Sequence, residues 1–247
     1  MNSKFLRFLS LTLQILVIGI CLTVCVYGIV ISQEASDSYP FISTTVRVAI
    51  LLLITISYYK TSVTAYNPGN VFMILAMMYM AVTELRILSY FTAMTGWGVI
   101  PPRVAVRVQL FSQFMLYFSI AGYALFHQNN EQGITSRFNL LGTVGLLFLS
   151  LTIPATQDID GVWTLLAPLS ILVVLAATVL ISMLMILFSE QTKSSVVRFV
   201  GILLMAIGNF LAVVMSSSFL YSGIGTVLYF IGGFMVMVVT LRTSVIL

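Results

Sequence analysis

Long apolar runs separated by short polar punctuation organise the whole chain, and they predict a bundle of membrane-crossing helices. A spanning helix needs about 20 mainly apolar residues. Dividing the chain at its polar breaks gives eight such runs, at 6–32, 43–63, 70–94, 104–127, 137–156, 162–188, 195–217 and 220–243. Most breaks carry turn chemistry. Residues 65–70 (Ala-Tyr-Asn-Pro-Gly-Asn) and 95–102 combine Gly and Pro with polar neighbours, while 128–133 and 157–161 are short polar loops. The division at Ser216, Ser217 and Ser218 has no charge, so seven spans with one long bent segment is the alternative count.

Composition supports lipid as the solvent. The chain is 60% hydrophobic and 7% charged, with a mean hydropathy of +1.11. Soluble domains are about 45–50% apolar and about 25% charged, and so few polar groups cannot cover such an interior in water. The 247 residues form a single transmembrane domain, 1–247, with no connection long enough to fold alone. The net charge of +4 is spread over loops and helix ends, which is a topology signal and excludes nucleic acid as a partner. With an inside N-terminus, Lys4, Arg7, Lys60, Arg137, Lys193, Arg198 and Arg242 fall on the cytoplasmic side. Glu34, Asp37, Asp158 and Asp160 fall opposite, with Arg47 and Arg103 near that boundary, so both termini are expected to be cytoplasmic. Lys4 and Arg7 ahead of an apolar run resemble a signal-peptide start. The run to Ser32 is too long for an h-region of about 7–15 residues, so it is read as a retained first helix.

Charges inside the apolar runs are the best lead to a site, because each costs several kcal/mol there unless it faces a partner or water. Glu84 and Arg86 interrupt the third run; Arg47 and Arg107 lie just inside the second and fourth. At about 1.5 Å per residue, Arg86 lies roughly 12 Å and Glu84 roughly 15 Å below the outer end of the third run. Gln109, Gln113 and Tyr117, spaced i, i+4, i+8, form one polar stripe on the fourth run, with Gln109 and Gln113 at a matching depth; Arg103 and Arg107 form another stripe. Glu84 and Arg86 are two residues apart and point to different faces, so Glu84 is expected to answer Arg107 or Arg47 across a helix interface. The remaining positive charge then calls for an anion, a lipid head group or water, and arginine's planar fork suits carboxylate or phosphate. Arg47, Glu84, Arg86, Arg107, Gln109 and Gln113 are therefore the candidate ligand-binding set. Two alternatives stand beside this. The arginines near the ends reach lipid phosphates while Gln109, Gln113 and Tyr90 lock Glu84 and Arg86 into the bundle, or the groups line an ion path. Glu84 is the one mid-depth carboxylate, which argues against a proton relay.

Little else carries chemistry. Cys21 and Cys25 share a helical face as small packing residues, and His127 is the single histidine, so neither a metal site nor a bis-histidine haem is expected, and no cofactor. No nucleophile motif or phosphate-binding glycine loop occurs, and Ser216–Ser218 has no activating base nearby, so the chain is read as non-enzymatic. The methionines, Met73, Met77, Met78 and Met80 among them, are read as packing residues. Gly201, Gly208, Gly223, Gly225, Gly232 and Gly233 predict close packing of the last two helices, a hinge being the other reading.

Thr83-Glu84-Leu85-Arg86, Ser89-Tyr90-Phe91 and the Gly96–Pro102 loop before another long helix resemble the seven- to eight-span membrane-associated sensor domains of bacterial signalling proteins. The resemblance covers 70–126, and no histidine follows the acid where those families often have one. Together with the charged cluster, it leads to the reading of a sensory or regulatory module, or an accessory subunit, in a bacterial cytoplasmic membrane. Such a module acts through a membrane or cytoplasmic protein partner or as a homo-oligomer. It takes an anionic or amphipathic ligand, or a lipid head group, in the outer half of the bundle. A small secondary transporter or permease subunit is the alternative. A transporter favours breaks near the midplane, and the breakers here lie between the runs, apart from Pro154 and Pro168.

Overall fold

The computed structural model describes residues 3–32, 34–62, 68–98, 100–126, 132–157, 163–165, 168–188, 193–213 and 219–245. His127, Asp158, Asp160 and the Ser216–Ser218 division lie outside them. The chain runs through α1 (Ser3–Ile31), α2 (Ala35–Ser62) and α3 (Pro68–Thr83). A 3-10 turn, Glu84–Arg86, joins α3 to α4 (Ile87–Thr95) within one apolar span. Then come α5 (Pro102–Phe126), α6 (Gln132–Thr152), the strands β1 (Ala155–Gln157) and β2 (Trp163–Leu165), α7 (Pro168–Phe188), α8 (Lys193–Val213) and α9 (Phe219–Val245).

Among the described residues, six helical stretches are long and apolar enough to cross a membrane: Phe8–Ile31, Asp37–Ser57, Val71–Thr95, Arg103–Phe126, Val196–Val213 and Phe219–Thr240. Ser136–Thr152 and Val173–Ser182 are shorter apolar helical stretches. The helical membrane class expected from the hydrophobic pattern is thus the class observed. Hydroxyls inside the spans turn back on their own helix, as an apolar solvent demands: Thr23 donates to the Gly19 carbonyl at 2.9 Å, Thr55 to Leu51 at 2.7 Å and Thr240 to Val236 at 2.7 Å.

The helix ends follow local chemistry. Pro68, Pro102 and Pro168 each occupy a first helical position, where the missing N–H costs nothing and φ is already helical. The α4 helix closes on Gly96, whose φ of 71° allows its N–H to reach the Thr92 carbonyl at 2.9 Å. Two boundaries differ from expectation. The second helix begins at Ala35 rather than near 43, because the Glu34 carbonyl accepts from the N–H groups of Asp37 and Ser38, and Asp37 complements the first turn. The expected run 137–156 stops helically at Thr152, before Pro154, which disfavours helix at the residue preceding it. The chain then forms a short antiparallel ribbon pairing Ala155 with Leu165, Thr156 with Thr164 and Gln157 with Trp163. Pro154 and Pro168 therefore lie outside the helix interiors, not within spans.

The central elements are α3–α4 and α5, with 72% and 67% of their most apolar windows buried, against 33% for α1 and 39% for α9. Around them α1, α2, α8 and α9 pack on one side, and α6 and α7 lean on α5. The outward faces of α1, α6 and α9 carry exposed large apolar side chains such as Leu16, Val30, Leu141, Phe148, Phe219 and Phe234, as lipid-facing surfaces do. The glycines of α8 and α9 explain that pair. A methyl group on Gly208 would lie 2.5 Å from the Gly225 carbonyl oxygen, and one on Gly201 2.8 Å from that of Gly232. Both helices repeat glycine every seven residues, so backbones touch at two levels in antiparallel register. The helices α8 and α9 are consequently packed antiparallel against one another.

Candidate functional site

The extended start of α2 places Arg47 about 15 Å along the helix from Asp37, and Glu84 is about 16 Å from Thr95 along its own span. The two meet at that shared depth. Arg47 Nε donates to Glu84 Oε1 and Nη2 to Oε2, both at 2.8 Å, a bidentate ion pair whose partners are 3% and 2% exposed. Arg47 was expected near the boundary; the eight additional helical residues before 43 carry it deeper and away from lipid phosphate. Two further donors are engaged as well, Nη1 with Thr226 Oγ1 at 3.0 Å and Nη2 with Thr44 Oγ1 at 3.1 Å.

The pair continues into a buried amide chain. Asn209 Nδ2 donates to Glu84 Oε1 at 3.3 Å and to Thr83 Oγ1 at 2.9 Å, while Gln113 Nε2 donates to Asn209 Oδ1 at 2.7 Å. Helices α2, α5, α8 and α9 are thereby tied to the middle of the third span. The 3-10 turn lies at this junction. Thr83 and Ser89 hydroxyls bond the carbonyls of Met80 and Arg86, each three residues back and each at 2.7 Å, and so occupy one backbone acceptor before the turn and one at its last residue.

Arg107 is not part of this cluster, contrary to one expectation. It donates to the carbonyls of Ser150 at 3.1 Å and Leu151 at 2.6 Å, capping the end of α6. The helical period explains why. Two residues turn a helix about 200°, so with Gln109 and Gln113 buried in the bundle, Arg107 faces the other way, towards α6. Gln109 is buried but, among the described residues, makes no side-chain bond to the cluster. Gln113 Oε1 and the Tyr117 hydroxyl are buried and lack a bonding partner among the described residues. Cys21 and Cys25 are free thiols buried on one face of α1.

Arg86 differs from both other arginines. Its guanidinium sits over the Tyr90 ring, 5.5 Å from the centroid, and no acidic or carbonyl oxygen bonds it among the described residues. It borders a cavity of about 40 Å³ that Glu84, Arg47, Ser43, Thr44 and Ser222 also line, among the N-terminal parts of α2, α4 and α9 and the C-terminal end of α8. Since Arg47 and Glu84 cancel, one unit of positive charge remains on this cavity. A cation–π contact contributes about 0.5–2 kcal/mol and leaves that charge formally uncompensated.

Asn209, Thr226 and Ser222 were missed from sequence. Asn209 had a readable signal, a lone amide in the apolar stretch 202–213, where an unpaired polar group is costly. Thr226 and Ser222 had none, since hydroxyls return to their own helix throughout the chain.

No protein-family model matches the sequence, and no curated protein or solved structure matches it. The fold and the apolar helices define a multi-pass membrane protein.

Proposed function

We propose that this chain is a non-enzymatic sensory or regulatory module, or an accessory subunit of a membrane complex, which responds to an anion bound at Arg86. In this reading it crosses a bacterial cytoplasmic membrane eight times with both termini inside. At about 1.5 Å per residue, α6 and α7, 21 residues each, are about 31 Å long, enough for a hydrocarbon core of about 30 Å. The basic residues gather on the inner side under this count. One observation carries the ligand assignment: the Arg86 guanidinium lines a cavity after Arg47 and Glu84 have neutralised one another. The 3-10 turn Glu84–Arg86 links ligand to bundle, because Glu84 of the ion pair and Arg86 both line the cavity from that turn. The output passes through a protein partner or a second copy, since the connections are short.

The test is a thermal-shift panel on the purified full chain with inorganic anions and anionic lipid, for wild type and Arg86→Gln. A saturable stabilisation that the variant loses supports the reading. Equal responses in both proteins, or none, would refute it. Transport of the anion is the second reading, favoured by the irregular turn within a span; anion flux into sealed vesicles holding the purified protein would select it.

A further inference from the structure

The cavity at Arg86 has a definite charge and a definite size, and together they select the kind of anion. This inference rests on reading that cavity as an anion site. A ligand there meets two guanidiniums and one carboxylate, because Arg47, Glu84 and Arg86 all line it. Arg47 is largely committed, with four of its five N–H donors bonded to Glu84, Thr44 and Thr226. Arg86 supplies lining donors that no carboxylate engages among the described residues, and Ser222, 5% exposed, also lines the cavity. One surplus positive charge is cancelled by one negative charge. A second negative charge would sit beside Glu84 in surroundings where repulsion is poorly screened. A water occupies about 10–15 Å³ on the measure that gives this cavity about 40 Å³, so there is room for a group the size of a few waters.

We infer that the Arg86 cavity takes a small, singly charged anion from the outer aqueous side, a halide or a monovalent oxyanion, in preference to a doubly charged one. A lipid phosphodiester shares the single charge but brings a glycerol and acyl chains that a cavity of about 40 Å³ cannot enclose.

The full-length protein, freed of lipid in a neutral detergent, is heated with increasing chloride, nitrate or sulfate, with ionic strength held constant by gluconate. A parallel arm adds phosphatidylglycerol without small anions. Chloride or nitrate is expected to raise the unfolding midpoint saturably, with sulfate at least about tenfold weaker in apparent affinity. Arg86→Gln removes the saturable response and Arg86→Lys, which keeps the charge, retains part of it. Glu84→Gln adds a unit of positive charge and reverses the preference towards sulfate; should that variant fail to fold, the wild-type ranking decides alone. Sulfate equal to or stronger than chloride, with loss in Arg86→Gln, overturns the charge-matching inference and leaves the anion site standing. Stabilisation by phosphatidylglycerol without any by chloride or nitrate overturns it in favour of lipid. No response to any arm removes both.

Discussion

Replacing Glu84 by Gln tests whether the Arg47–Glu84 pair locks the bundle. The amide keeps the shape and still accepts one hydrogen bond from Arg47, so the change removes charge rather than volume. Two unit charges about 4 Å apart at an effective dielectric of about 20 attract by about 4 kcal/mol. That agrees with the roughly 3–5 kcal/mol lost when one partner of a buried pair is removed. Arg47, 3% exposed, has no route to water except the small cavity, so the upper part of that range is expected. Replacing both residues, Arg47→Met with Glu84→Met, strands no charge and should recover most of the loss. The assay is equilibrium unfolding of the detergent-solubilised full chain in gluconate, so that no small anion substitutes for the missing carboxylate. A single variant within about 1 kcal/mol of wild type, as at a solvated position, with a double variant no better, would refute the assignment of a lock.

Asn209→Leu strands Gln113 Nε2, which has Asn209 Oδ1 as its acceptor, and should cost about 1–3 kcal/mol in the same unfolding assay. Gly208→Ala places a methyl 2.5 Å from the Gly225 carbonyl and 2.6 Å from the Tyr229 nitrogen; the helices must part, at about 1–3 kcal/mol. Gly145→Ala meets nothing within 4 Å and should be neutral or gain up to about 1 kcal/mol in helix propensity. Arg107→Gln should leave global stability within about 1 kcal/mol and speed hydrogen exchange in the last turn of α6, read by mass spectrometry.

The helices were legible because twenty-residue apolar runs have few alternatives once lipid is the solvent. Their ends were less so. The early start of α2 comes from Glu34 and Asp37, acids that lie outside the apolar run yet are good helix initiators. The halt at Thr152 came from Pro154, whose effect on the residue before it was outweighed by the apolar run. The close pairing of α8 with α9 was announced by glycine content. Which glycines face one another is a matter of register, and register appears only when Gly208 meets Gly225 and Gly201 meets Gly232.

The three buried or half-buried arginines show why a site is harder to read than a span. Sequence gives Arg47, Arg86 and Arg107 the same description, a cation inside an apolar run, and supplies their depth to within a turn or so. It does not supply helix rotation, and rotation decides the partner. Arg47 faces the third span and meets the one mid-depth carboxylate; Arg107, two residues before Gln109, faces α6 and its open carbonyls. With Arg47 already paired to it, Glu84 has no capacity to neutralise a second guanidinium. Arg86, over Tyr90 and beside the cavity, is therefore the position at which an unpaired charge is carried, and the cost of keeping one there is the strongest argument that the cavity serves to be filled. Lock and site are adjacent but separable, so Arg86→Gln should leave the bundle as stable as wild type in gluconate while Glu84→Gln does not. An Arg86→Gln protein that loses as much stability as Glu84→Gln would merge the two and return the whole cluster to a packing role.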